Sequence, residues 1–454
     1  MPRSAIRVSA PWLAALTGFA LSIWLFWPGY LSWDSAYQWW LVRHGAHDPL
    51  LPASMTALWG LTDAVLPGPA GLFLLQSAVF WSGLAVLAGQ FPWTRTGRVL
   101  VVISIGFWPA LFALLPHLWK DIWLLNGLIW TVAILMAERH RPSRSLRALA
   151  LLLLVVSASF RVNAVAAVPP LLVWLIWREF TANGWPSGRR LWRPLLLALP
   201  ATVLVATLAT WPQRLAGVGG QPLWPTVALW DVAAVSLAED RMLIPAAWTT
   251  DALSLSELGD AFTAHSNTSI FDTGKIRINL HHPMTPADLE GLWRVWLSLP
   301  IEHTDAYLDH RWRTTELLFG LDRAGRPARL VLQPGWQAHD DNPPLSPPVR
   351  PARDWLQGWL DDATGGLMFA GWPYLALLII SLWLATARRR GGLPAAVAAS
   401  GLCLALPLPL IAPSAEFRFL IWPLAAALLA LLLTWAEPPP LRHRPTAPIR
   451  PMTP

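Results

Sequence analysis

Ten apolar runs divide this chain, and basic residues collect beside alternate ends of them. The runs cover residues 10–27, 70–90, 99–116, 121–137, 146–161, 163–178, 194–211, 366–386, 393–412 and 418–435. A bilayer-spanning helix needs about 20 mainly apolar residues, because only a helix satisfies every backbone polar group in hydrocarbon. If all ten cross, Arg3 and Arg7, Arg95 and Arg98, Arg139 to Arg147, Arg178 to Arg193, Arg388 to Arg390 and the tail PPPLRHRPTAPIRPMTP fall on one side. The positive-inside rule makes that side the cytoplasm. The expectation is an all-α polytopic membrane protein of about ten transmembrane helices in the inner (plasma) membrane, with both termini cytoplasmic.

Composition agrees with that class. Charged residues make up 13% of the chain and hydrophobic ones 54%, with mean hydropathy +0.42, whereas a soluble domain carries about a quarter charged residues. The net charge of +7 lies in short loops beside apolar runs, a topology signal that gives no reason to expect nucleic acid. A single cysteine, Cys403, excludes an internal disulfide framework. The N-terminal run ends in bulky aromatics without a small-residue cleavage pattern and reads as a retained first helix.

The runs define expected domains. Residues 1–211 form a first transmembrane module of seven helices with an outer juxtamembrane segment, 28–69. Residues 212–365 form an extracytoplasmic, mostly helical insertion, 366–437 the last three helices, and 438–454 a disordered cytoplasmic tail. Residues 50–66, with Pro52 and Asp63, are too short for a span and read as an interfacial or re-entrant segment. Counting them as a crossing would turn every later basic loop outward.

Charge is scarce enough at the outward helix ends to make each polar residue informative. Asp34 lies in WLFWPGYLSWDSAYQWW, and His44, His47 and Asp48 follow. Lys120 and Asp121 open one helix, Arg161 and Asn163 interrupt SASFRVNAV, and Glu416 and Arg418 stand in APSAEFRFL. Ser35 and Gln38 have capping-box spacing, which predicts Asp34 just outside a short helix and free to act elsewhere. His44, His47 and Asp48 resemble metal ligands, but ordinary interfacial polar residues explain them as well. Lys120 and Asp121 read equally as a local salt bridge and as a phosphate-binding lysine held by an acid. Arg161 asks for an anion or an acidic partner such as Asp34, Asp121 or Glu416. Tyr307, His310 and Arg311 share a helix face in the insertion, read as solvated.

These features resemble the GT-C superfamily of integral membrane glycosyltransferases. The shared features are an acid after the first helix, a short juxtamembrane helix and a second acidic site between helices three and four. The large insertion between helices seven and eight resembles that of protein O-mannosyltransferases. GYLSWDSAYQWW, LWKDIWLL, SFRVNAV and AYLDHR look like a family of bacterial GT-C-like membrane proteins. The resemblance implies transfer of a sugar from a polyprenyl-phosphate donor to an extracytoplasmic glycan, lipid or protein acceptor in the cell envelope. Asp34 would be the general base of an inverting reaction, and Lys120, Arg161 and Arg418 would hold the donor phosphate. Asp121, Asn163, Glu416, His47, Asp48, Tyr307, His310 and Arg311 would be supporting residues. Asp121 stands at the position of the second acidic motif, which binds a metal in oligosaccharyltransferases. Here a lysine replaces one member of the acidic pair, so no metal or other cofactor is expected. The competing expectations are an O-antigen polymerase or ligase, with arginine-rich outer segments and a diphosphate donor, and a lipid or solute transporter. The transporter would need repeats or mid-membrane charges, and the sequence offers little of either.

Overall fold

The computed structural model describes residues 9–182, 192–218, 222–277, 284–387 and 392–436. Its helices, in chain order, begin with α1 (Ala10–Phe26), α2 (Trp33–His44), α3 (Ala53–Asp63), α4 (Pro69–Gly89) and α5 (Arg95–Gly106). Then come α6 (Pro109–Leu114), α7 (Lys120–His140), α8 (Arg144–Phe160), α9 (Val168–Ala182) and α10 (Trp192–Ala209). The insertion holds α11 (Trp211–Leu215), α12 (Trp224–Ala238), α13 (Leu255–Ala261), α14 (Pro286–Glu302), α15 (Thr304–Phe319) and α16 (Pro351–Ala363). The chain closes with α17 (Trp372–Ala387), α18 (Leu393–Ala405), α19 (Leu408–Ile411) and α20 (Ile421–Ala436). Among the described residues there are isolated bridges and no strands.

Six helical stretches in the described residues are long and apolar enough to cross a bilayer: Pro69–Gly89, Lys120–His140, Val162–Thr181, Trp192–Leu215, Leu393–Ile411 and Phe417–Ala436. Every one of the ten apolar runs is helical, and the chain is an all-α polytopic membrane protein. Proline explains where runs break. Pro109 has no N–H to donate and pushes Trp108 into the extended region (ψ 122°), so the third run divides into α5 and α6. Pro407, which also lacks an N–H, stands between α18 and α19, with Leu406 before it still in helical geometry (ψ −34°).

Close helix contacts depend on small residues, as expected where lipid supplies no hydrophobic drive between helices. The Trp81 ring of α4 lies against Gly18 of α1 and Gly106 of α5, and a Cβ at either glycine would overlap it. At one end of the bundle buried Glu138 of α7 accepts from Arg147 of α8 at 2.8 Å and from Arg178 of α9 at 3.4 Å. Arg3, Arg7, Arg189, Arg190, Arg388 to Arg390 and the tail lie outside the described residues.

Helix α3, 11 residues long, rises about 16 Å at 1.5 Å per residue, roughly half the hydrocarbon thickness. It does not cross. Gln38 of α2 donates to Thr56 at 2.6 Å, and Asp63 accepts from the Trp39 indole at 3.2 Å, which ties α3 to α2.

The insertion contains a core of its own. Leu229, Trp230 and Val232 of α12 pack with Trp248, Leu292 and Leu299, so the apolar character of α12 is that of a core helix. Farther along, Leu318, Leu330 and Leu360 join the main bundle core instead.

Candidate functional site

The turn after α1 sets the position of the first acid. Gly29 has φ +98°, a conformation L side chains rarely adopt, and it turns the chain back beneath the bundle end. Tyr30 N then donates to Pro116 O at 2.8 Å, and Leu31 N to Gly335 O at 2.9 Å. Trp119 donates its indole N–H to Ser32 Oγ at 2.8 Å, and Ser35 Oγ donates to Leu118 O at 2.8 Å. The start of α2 is thereby fastened to the start of α7, and Asp34 is placed beside Lys120.

This arrangement corrects the capping expectation. Helix α2 begins at Trp33 with Ser32 in the cap position, so Asp34 is inside its first turn. Ser35 and Gln38 do not form a capping box, because each is buried with a partner in another segment, Leu118 O before α7 and Thr56 of α3. Asp34 is therefore held by the helix it was expected to precede, with its carboxylate near the positive end of the helix dipole.

An open cavity of about 1790 Å³ lies at this end of the bundle. Asp34, Lys120, Arg161, Asn163, Glu416 and Arg418 all line it, although they come from four separate parts of the chain. Arg418 Nη1 donates to Asp34 Oδ2 at 2.7 Å, and its Nε contacts Glu416. The short helical turn at Phe417–Leu420 permits that i, i+2 contact, which a regular helix would not. Arg161 donates Nε to Asn163 Oδ1 at 2.7 Å and pairs through Nη1 with Asp121. Lys120 and Asp121 are thus not a pair. Lys120 donates only to the Leu50 carbonyl, at 3.2 Å, and has no carboxylate partner among the described residues.

Aromatic faces complete the cation cage. The Arg418 guanidinium lies 4.8 Å from the Trp119 ring, and Arg161 lies 4.4 Å from Phe419. Burial pushes the Asp34 carboxyl up, but Arg418, Lys120 and Arg161 together outweigh burial and hold it below the ordinary value. Its side chain keeps 31% exposure, toward the cavity, so the anion remains accessible. For Glu416 burial prevails over Arg418 and raises the carboxyl, helped by the neighbouring charges of Asp34 and Asp121. Behind Trp119, buried His117 accepts from Gln333 N at 3.2 Å, and burial lowers its imidazole to about 3, so it is a neutral structural group.

Other expected residues lie elsewhere. His47 is exposed, and Asp48 is buried against Tyr37 Oη at 2.9 Å and Leu50 N at 2.7 Å; neither lines the cavity. Among the described residues no three His, Cys, Asp or Glu side chains stand together as a metal site. The Tyr307, His310 and Arg311 face is buried rather than solvated. Arg311 reaches Asp231 of α12 at 2.5 Å and the Ala412 carbonyl at 3.0 Å, and His310 lies 3.2 Å from Asp231. This cluster fastens the insertion to the segment leading into Glu416 and Arg418.

The cavity also has residues that sequence reasoning passed over. Arg329 and His265, 2.9 Å apart, also line it, as does Trp336. Nothing in the spacing of Arg323, Arg326 and Arg329 separates the one lining residue from a solvated basic face, and Trp336 is one of 31 tryptophans. A second wall, with Val162, Ala209, Leu223, Leu408 and Ile411, is apolar. The pocket therefore joins a cationic, aromatic-lined centre to a surface suited to a hydrocarbon chain.

Compared with known proteins, the chain matches no family model, no curated protein and no solved structure.

Proposed function

We propose that this protein is a membrane glycosyltransferase that takes a sugar from a polyprenyl-phosphate donor and passes it to an extracytoplasmic acceptor with inversion. The observation that carries the reading is the contact of Asp34 with Arg418 in a cavity shared with Lys120 and Arg161. Three cations around one accessible carboxylate suit a reaction in which a phosphate departs while a hydroxyl is deprotonated. Asp34 takes the proton of the acceptor hydroxyl as its oxygen forms the bond to the anomeric carbon. The bond from that carbon to the phosphate oxygen breaks, and the polyprenyl phosphate leaves with the electron pair toward Lys120, Arg161 and Arg418. The apolar wall of Val162, Leu408 and Ile411 gives the isoprenoid chain a path to the bilayer.

The test is transfer from radiolabelled polyprenyl-monophosphate sugars in membranes containing the wild-type protein or Asp34→Asn. The reading requires label in a product with wild type and its loss with Asp34→Asn. Equal transfer by the two proteins would remove Asp34 as base, and transfer only from diphosphate donors would favour the polymerase or ligase class.

A further inference from the structure

Helix α16 carries a feature that the cavity chemistry does not use. Trp355 is 73% exposed and Trp359 46% exposed, one helical turn apart on the same flank. Its inward face holds Arg353 and Leu360, both buried, with Leu356 packed on the bundle core. We propose that α16 is an interfacial helix whose Trp355 and Trp359 rings sit in the surface of the surrounding lipid leaflet, at the boundary between headgroups and acyl chains.

Both ends of α16 are fixed at the level where spanning helices leave the bundle. At its N-terminal end the Arg350 guanidinium lies 5.5 Å from the ring of Trp24, an exposed residue in the last turns of α1. At its C-terminal end the short connection 364–371 leads directly into α17, and its exposed Leu367 and Met368 continue to exposed Trp372. A helix tied to α1 at one end and α17 at the other lies across that level rather than away from it. Exposed Trp24 stands at the N-terminal end of α16 and exposed Trp372 follows its C-terminal end, so exposed indoles occur on α16 and at both of its ends. Amphipathic indoles collect at membrane–water interfaces because the ring is apolar and the N–H remains solvated there. The lipid surface is therefore the occupant that fits this flank. The seat also reaches the cavity, because Arg353 lies 4.9 Å from the Trp336 ring and Asp361 lines the same pocket. Lipid contact outside α16 and one cavity wall inside it are two faces of one helix.

The test needs no enzymatic activity. Cys403, the sole cysteine, is replaced in Cys403→Ala, and Trp355→Cys is labelled with an environment-sensitive fluorophore in the full chain in lipid nanodiscs. Asp251→Cys, at an exposed insertion residue, is the aqueous control. The proposal expects blue-shifted emission at 355, loss of most of it when spin-labelled lipid is present, and little loss with aqueous iodide; the control behaves oppositely. Quenching at 355 by iodide and not by lipid overturns the proposal. So does protection from both quenchers, which would mean that protein, such as a second copy, covers the flank. Should Trp355→Cys fail to fold, Trp359→Cys gives the same reading.

Discussion

Asp231→Asn tests the packing of the insertion independently of any catalytic role. Asp231 is wholly buried, and Arg311 is 3% exposed. One carboxylate oxygen accepts from Arg311 at 2.5 Å and from the Trp296 indole at 2.7 Å, while the other lies 3.2 Å from His310. Asparagine keeps the shape but removes the charge, leaving a buried guanidinium without its counter-ion. Breaking one side of a buried pair costs about 3–5 kcal/mol, a large fraction of the roughly 5–15 kcal/mol that holds a domain together. Hydrogen exchange then rises from about 10²-fold to several 10³-fold across residues 224–277 and 284–310, since each 1.4 kcal/mol is a factor of ten. Exchange also rises at 412–418, because Arg311 donates to the Ala412 carbonyl. The double change Asp231→Leu with Arg311→Met costs much less, since it removes both charges and leaves neither unpaired. Wild-type exchange in Asp231→Asn, or equal loss in the single and double variants, would refute the reasoning.

Three further outcomes concern the cavity. Asp34→Asn lowers transfer about 10²- to 10⁴-fold, the usual contribution of a positioned base, with donor KM nearly unchanged; a KM effect alone would assign Asp34 to binding. Arg418→Gln lowers transfer about 10²- to 10³-fold and moves the acidic limb of the pH–rate profile upward. The sign follows from Arg418 being one of the charges that hold the Asp34 carboxyl down: in the proposed reaction activity needs the carboxylate, is present above its pKa and is lost below it. An unmoved limb would mean that another group sets it. In a double-mutant cycle of Asp121→Asn and Arg161→Gln read by thermal unfolding, the contact pair shows a coupling of about 1 kcal/mol or more, and simple additivity would contradict the contact.

Apolar patterning made most of the fold legible, because lipid forces every crossing segment to be a helix whatever its neighbours are. The break at Pro109 and the short α3 follow from local chemistry of the same kind. Side-chain partners were not legible, because they are decided between distant segments. Ser35 and Gln38 have the spacing of a cap, but Leu118 O and Thr56 compete for their polar groups and win. Asp121 stands next to Lys120 in sequence and pairs with Arg161, 40 residues on. The face of Tyr307, His310 and Arg311 has the pattern of a solvated helix, and only the buried acid of α12 shows otherwise. The convergence of Asp34, Lys120, Arg161, Glu416 and Arg418 was legible because topology alone puts those helix ends on one side.

Charge balance at the centre carries a consequence for the order of events. Asp34, Asp121 and Glu416 face Lys120, Arg161 and Arg418, three acids against three bases, so an incoming donor phosphate adds a charge the cluster does not already offset. Arg418 is shared between Asp34 and Glu416; burial pushes both carboxyls up, and only at Glu416 does it prevail over the neighbouring cations. A phosphate that engages Arg418 and Lys120 weakens the hold of both cations on Asp34, and it acts as a further anion near both acids. Each effect raises a carboxyl's affinity for protons. On the proposed reaction the donor would therefore make Asp34 a stronger base at the moment one is needed, whereas without donor Arg418 holds the carboxylate down. By linkage, donor binding takes up protons in mildly acidic buffer. Calorimetry of polyprenyl-phosphate binding in buffers of different ionisation enthalpy measures this directly. Net uptake that shrinks in Asp34→Asn is the expected result, and proton release on binding would reverse the argument.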